Sequence, residues 1–277
     1  MFTNPNIFQS GSLEKIAAQL RINIIEMSHK ARSAHLGSCL SCVDILTVLY
    51  FKILEIDPAN PGMQKRDIFI LSKGHAAMAL YSVLAARGYF DPEMLESYNQ
   101  DGGILAEHPP AAGLAGVEAA TGSLGHGLPM STGQALAIKL NSGTQRVFCL
   151  LSDGETNEGS VWEAALFAAA HKLDNLICFI DHNKWQATGR SDEVLNVTAH
   201  AEKWLAFGWN VQCIDGHDHQ QIISAAHNAS AKPKMIIADT VKGRGVSFME
   251  DDNNWHYRTP NPEELAAAMA ELQEVKL

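Results

Sequence analysis

Residues 146–183 constrain the fold more than any other stretch. Two short apolar runs, 146–151 and 176–181, flank a segment with helical apolar spacing at 158–172. Strand, helix and strand in that order predict a crossover unit, because parallel strands need a long connection, usually a helix. A carboxylate, Asp153, follows the first run, and a carboxamide, Asn183, follows the second. If the runs are neighbouring parallel strands, both oxygens reach the same carboxyl edge of one sheet. Open α/β sheets bind their ligands at that edge. Two oxygen donors on short stems suit a Mg²⁺ that also holds a diphosphate, and a backbone carbonyl near Trp185 adds another oxygen. Gly154 exposes a backbone N–H to a phosphate oxygen, and the helix starting near Glu158 aims its positive end at the same place. Taken singly, Asp153 reads as a helix cap and Asn183 as a turn residue. Together, with the right elements between them, they favour a metal–diphosphate clamp.

The rest of the chain repeats the alternation. Helices are predicted over 13–30, where Ile16, Leu20, Ile24 and Met27 share one face, and over 43–54, 128–140, 219–228 and 262–274. A further helix over 76–87 is closed by Gly88. Strands are predicted over 67–71, 209–214 and 235–240. The pattern implies an α/β fold: a doubly wound, mainly parallel sheet with helices on both faces. No repeat or linker divides the chain, so residues 1–277 read as a single domain. Residues 102–127 form a long loop rich in Gly, Pro and Ala, which contains Gly122-Ser123-Leu124-Gly125-His126-Gly127. Long loops without secondary structure are usually functional, and this one reads as a ligand contact.

Composition excludes several classes. A net charge of -10 argues against a nucleic-acid surface, which needs a basic stripe. No apolar run approaches the roughly 20 residues that span a bilayer, and residues 1–11 lack a signal-peptide core. These features lead to an expectation of cytoplasmic location, with no membrane partner. Neither G-x-x-x-x-G-K-[ST] nor a strand-linked G-x-G-x-x-G is present, which disfavours P-loop and Rossmann enzymes. Cys149, Cys178 and Cys213 lie in strand-like runs and read as small buried hydrophobes. Cys39 and Cys42 form a C-x-x-C, but no second metal-binding pair accompanies them and no strand precedes them.

The block Ser152-Asp-Gly-Glu-Thr-Asn-Glu-Gly, with Asn183 beyond the next strand, resembles the thiamine-diphosphate motif. The run Glu158-Gly-Ser-Val-Trp-Glu-Ala-Ala-Leu-Phe-Ala-Ala is similar to transketolases in particular. Ser33-Ala-His-Leu-Gly-Ser, Leu71-Ser-Lys-Gly-His-Ala-Ala, Glu107-His-Pro, the 116–127 loop and Val241-Lys-Gly-Arg-Gly-Val-Ser-Phe-Met-Glu match that family in order. The resemblance runs over residues 13–272 and covers the diphosphate-binding domain. It implies the N-terminal subunit of a split transketolase, moving a two-carbon ketol unit from a ketose to an aldose. The implied cofactors are thiamine diphosphate and Mg²⁺, for which Ca²⁺ or Mn²⁺ can substitute. The implied partner is a C-terminal transketolase subunit on a separate chain, as a heterotetramer of two each. That partner would bring the pyrimidine-activating glutamate, the stacking aromatic and most contacts to a substrate phosphate.

Carried onto this sequence, the resemblance makes Asp153, Asn183 and the Trp185 carbonyl metal ligands. The cofactor-binding set is Gly122, Ser123, Leu124, Asp153, Gly154, Glu155, Glu158, Asn183 and Lys242. Leu124 would lie against the thiazolium and Glu158 near the cofactor at a dimer interface. The catalytic set is His35, His75, His108 and His256, with sugar or sugar-phosphate substrates. His35 and His108 would meet the sugar. The other histidines, His182, His217 and His219 among them, carry no such support.

Three departures stand out. Ser152 replaces the first motif glycine, Glu107 replaces the glycine before His108, and Tyr257-Arg258 follows His256 where glycine is usual. The last two suggest an unusual donor or acceptor. Alternatives are a deoxyxylulose-phosphate synthase-like or 2-oxo acid dehydrogenase-like subunit, or a non-catalytic assembly half. The intact Asp153/Asn183 pair argues against the last.

Overall fold

The computed structural model describes residues 5–195 and 200–274. Among them five strands form one parallel sheet: β1 (Ile68–Leu71), β2 (Val147–Ser152), β3 (Leu176–His182), β4 (Asn210–Asp215) and β5 (Lys234–Asp239). Their order across the sheet is β1-β2-β3-β5-β4. Register brings Ser152 opposite Asp181 and His182 opposite Asp239, so the carboxyl ends of β2, β3 and β5 are level.

Strand side chains alternate between faces, and each face has its own core. Phe148, Leu150, Ile177, Phe179 and Ile236 pack on the first face with Leu13–Ala31, Ala77–Arg87 and His219–His227. Val147, Cys149, Leu151, Cys178, Ile180 and Met235 pack on the second with Gly127–Leu140, Gly159–Ala170 and His200–Ala206. Because both faces are covered, the central strands read as unbroken apolar runs. Each fully buried Leu, Ile or Phe adds about 1.5–3 kcal/mol over its exposed state.

The chain leaves β3 by a helix on the second face, but reaches β5 from β4 by a helix on the first. It then leaves β5 for Pro262–Glu274, also on the first face. Neighbouring strands that send their chains to opposite faces open a crevice at their carboxyl ends.

The fold differs from the sequence expectation in three places. The 43–54 helix is α-helical only over Val43–Val48 and widens to a π turn over Leu49–Ile53. Thr47 Oγ1 donates back to the Val43 carbonyl at 2.7 Å, a contact that commonly bends helices. A short helix, Leu36–Ser41, was hidden by its small polar residues. Cys213 is exposed rather than buried, because β4 is an edge strand with only one well-covered face. Cys39 and Cys42 are buried free thiols, and burial pushes Cys42 up to about 12, which leaves it an unreactive thiol.

Candidate active site

Four strand ends deliver the site. His75 follows β1, Asp153 follows β2, Asn183 follows β3 and Lys242 follows β5. Asp153 and Asn183 are both buried, at 0% and 2% exposure. Asn183 is held by its amide nitrogen, which donates to Asp181 Oδ2 at 3.1 Å and to Ser41 Oγ at 3.4 Å. Its Oδ1 therefore faces the other way, and it accepts the Trp185 N–H at 3.1 Å. Trp185 pairs with Arg190 across a narrow antiparallel bridge. The bridge bonds run from Ser191 N–H to Lys184 O and from Gln186 N–H to Gly189 O, so the Trp185 carbonyl takes no part.

Asp153 accepts Ser191 Oγ–H at 2.8 Å on Oδ2 and the Gly154 N–H at 2.8 Å on Oδ1. Gly154 N–H is thus committed to its neighbour's carboxylate, not free for a phosphate oxygen as the sequence suggested. Burial raises the Asp153 carboxyl above the usual aspartate range; the Ser191 bond opposes this and the Asp181 charge adds to it. Among the described residues no Lys, Arg or His forms an ion pair with Asp153.

Beneath the pair lies a buried ion pair, Lys73 with Asp181, both at 0% exposure. Lys73 Nζ also donates to Ser38 O at 2.9 Å, while Ser41 and Thr240 hydroxyls donate to Asp181. Burial alone would raise Asp181, but the Lys73 charge and these donors outweigh it and hold the carboxyl below its usual range. The Ser-Lys-Gly-His motif contains Lys73, but sequence reasoning assigns it no role. A lysine in a run between a strand and a glycine turn was the available signal.

The Ser152 departure acquires a reason. Ser152 Oγ accepts the Glu155 N–H at 3.3 Å, and Glu155 Oε2 accepts the Ser152 N–H at 3.2 Å. This reciprocal pattern is that of a capping box, and Ser-x-x-Glu was legible in the sequence. Glu155 Oε1 also accepts Ser72 Oγ–H at 2.5 Å and the Gly125 N–H at 2.8 Å. Glu155 is buried with its carboxylate filled by protein donors, so it holds the 122–127 loop onto the sheet. Ser123 is exposed, and Leu124 half-buried, on that loop. Glu158 is exposed at the N-cap of Gly159–Ala170.

The four expected histidines converge. Ring centroids lie 5.4 Å apart for His35 and His75, 6.0 Å for His35 and His108, and 5.2 Å for His35 and His256. His35 has left-handed backbone (φ 68), and its N–H donates to His256 O at 2.7 Å. Glu107 Oε1 lies 3.7 Å from His35 Nδ1, and Tyr257 packs edge-on against His256 at 4.8 Å. Lys242 Nζ donates to Asn253 Oδ1 at 2.6 Å and to His256 Nδ1 at 3.0 Å. An ammonium cannot accept, so Nδ1 accepts and the His256 proton sits on Nε2.

Burial, then the Lys242 charge, lowers His256 to about 3; burial and then Lys73 lower His75 well below the usual range. Burial likewise lowers Lys242 to about 8. His256 is therefore expected to show no NMR titration between pH 5 and 8. In the unfolded chain the same imidazole takes a proton near 6.5, the ordinary value. Its contribution to stability is complete above about 6.5 and declines as pH falls toward 3. A titration midpoint near 6.5 in the folded chain would contradict the buried cluster.

The residues fit a divalent cation. Among the described residues, a buried carboxylate with no ammonium or guanidinium partner, an amide oxygen oriented by its own nitrogen and a carbonyl that takes no part in the bridge are an all-oxygen donor set of the kind suited to Mg²⁺. They also fit an anionic ligand beside it, since Lys242 supplies a buried positive charge.

Known proteins resemble the chain over nearly its whole length. Residues 12–272 match the family model described as transketolase, thiamine diphosphate binding domain. The chain is 41% identical over 268 residues to the 6-deoxy-6-sulfo-D-fructose transketolase subunit of Clostridium sp. (strain MSTE9), covering 96% of this chain and 98% of that one. It is 39% identical to an apulose-4-phosphate transketolase subunit from Actinobacillus succinogenes, over 98% of this chain and 99% of the other. Among solved structures, transketolase from Campylobacter jejuni superposes with a TM-score of 0.88 at 32% identity, over 94% of this chain and 42% of that one. The chain thus spans about two fifths of the solved enzyme and nearly all of the separate subunits.

Proposed function

The chain belongs to the transketolase family, corresponding to its thiamine-diphosphate-binding N-terminal part, and on that premise we propose that it is one subunit of a split transketolase. In this reading Asp153, Asn183 and the Trp185 carbonyl hold Mg²⁺, with the Lys242 ammonium close to the diphosphate. The observation that carries the proposal is that the buried Asp153/Asn183 pair lies beyond the carboxyl ends of β2 and β3, while His75 follows β1 and His256 is bonded to Lys242 beyond β5 of the same sheet. When bound, thiamine diphosphate supplies the electron sink that ketol transfer needs.

The chain's own residues then orient the sugar and handle protons. His256 presents Nε2–H to the cleft as a donor, because Lys242 occupies its other nitrogen. His75 stays neutral at pH 7 and can accept a proton or give one. His35 and His108, neighbours in edge contact in the cluster, bind sugar hydroxyls. A separate C-terminal subunit, in a heterotetramer of two each, completes the site. The assembly works in the cytoplasm.

Glu107 and Tyr257 border the cleft and point to a sugar or sugar phosphate other than the pair xylulose 5-phosphate and ribose 5-phosphate. Co-expression with the partner, followed by a ketol-transfer assay over a panel of ketoses and aldoses, tests both statements. Transfer that requires both chains supports the subunit reading. Preference for xylulose 5-phosphate and ribose 5-phosphate over every other pair would sink the substrate reading.

Gly122 offers a local test. Its φ of +140 disfavours any side chain, and a Cβ there would lie 2.7 Å from the His108 ring. Gly122→Ala is expected to lower kcat/KM on the order of tenfold or more while Tm falls by only a few degrees, the His108 ring being displaced. Unchanged kcat/KM would remove His108 from the site.

A further inference from the structure

The 241–245 segment that carries Lys242 is gripped from its far side by groups that meet on one buried carboxylate. The Val241 N–H donates to His217 Nε2 at 2.9 Å. His217 Nδ1 lies 2.7 Å from Asp44 Oδ2. Arg21 donates to the same carboxylate, Nη2 to Oδ2 at 2.6 Å and Nη1 to Oδ1 at 3.3 Å. Its Nε donates in turn to Arg244 O at 2.9 Å. His219 Nε2 completes the set, 3.1 Å from Asp44 Oδ1. One carboxylate thus fixes the backbone on both sides of Lys242, through an imidazole before it and a guanidinium after it. Asp44 and Arg21 are buried, at 5% and 6% exposure, so neither end can trade its partner for water at low cost.

The grip also dictates a tautomer. A backbone N–H only donates, so Nε2 of His217 carries no proton and Nδ1–H donates to Asp44. Lys242 itself is fully buried, with Nζ bonded to Asn253 and His256, so a small movement of its backbone would unmake both bonds.

We propose that Asp44, Arg21 and His217 form a bracket that sets the position of Lys242, with His217 and Arg21 as positioning residues for the active site. The proposal rests on the reading of Lys242 as a site residue. It gives a function to His217, which sequence alone left without one.

The test uses the full chain in complex with its partner chain, without added cofactor, so it stands whether or not thiamine diphosphate binds. In the unaltered protein, ¹⁵N NMR is expected to place the His217 proton on Nδ1. His217→Asn keeps a donor for Asp44 but has no acceptor where Nε2 stood. It is expected to raise amide hydrogen exchange over residues 241–244 at least tenfold, with the sheet unaffected. In the same variant the Lys242 titration midpoint moves up from about 8 toward the ordinary 10.5. His217→Gln, whose side-chain oxygen reaches the Nε2 position, keeps both near the unaltered values. A proton on Nε2, equal exchange in the two variants, or a Lys242 midpoint that stays fixed while the loop exchanges faster would each overturn the bracket.

Discussion

Asp153→Ala is expected to weaken Mg²⁺-dependent binding of thiamine diphosphate by a hundredfold or more, and ketol transfer with it. Loss of groups that merely orient a metal ligand typically costs 10–100-fold, and Asp153 is placed to be the only anionic ligand in the set. The fold should survive. Asp153 is buried with no cationic partner among the described residues, and burial already raises its carboxyl, so its removal relieves a desolvated charge. A Tm within a few degrees of the unaltered chain, beside lost cofactor binding, is the expected pair of readings. Cofactor affinity within threefold of the unaltered value would refute the assignment of Asp153.

Lys73→Ala is expected to act on the fold first. It leaves the Asp181 carboxylate at 0% exposure with no ammonium beside it. Removing one partner of a buried ion pair costs about 3–5 kcal/mol. For a chain of this size that corresponds to a fall in Tm on the order of 10 °C. Asp181 also anchors the Asn183 amide, so cofactor binding is expected to weaken as the carboxyl protonates to escape its unpaired charge. The paired change Lys73→Met with Asp181→Asn removes both charges and should recover much of the lost Tm. Calorimetric unfolding of the three proteins separates these outcomes. A loss below about 1 kcal/mol for Lys73→Ala would mean that Asp181 is already neutral.

Much of this was legible in the sequence, and the reason is the parallel sheet. Strands buried on both faces read as continuous apolar runs, so β2 and β3 could be placed within a residue or so. Once they were placed, Asp153 and Asn183 had to reach a common edge. The four histidines were legible only through motif resemblance. Nothing in their spacing says that residues 35, 75, 108 and 256 meet. The support beneath them was not legible at all. The Lys73–Asp181 pair spans 108 positions, and the Arg21, Asp44 and His217 contacts span 23 and 173. Such pairs leave no local pattern: Arg21 and Asp44 sit in helices, Asp181 in a strand, and Lys73 and His217 in turns beyond strands, each placed by its own segment. Cys213 failed for the converse reason: the local run was right, but only topology reveals that β4 is the edge.

The central claim is that this chain holds a divalent cation and a diphosphate together at the β2–β3 edge. Electron–nuclear double resonance of Mn²⁺ in the assembled complex tests it directly. With thiamine diphosphate added, ³¹P hyperfine coupling to the bound Mn²⁺ is expected, and Asp153→Ala should abolish it. Mn²⁺ bound without ³¹P coupling, or coupling that persists unchanged in Asp153→Ala, would contradict the claim.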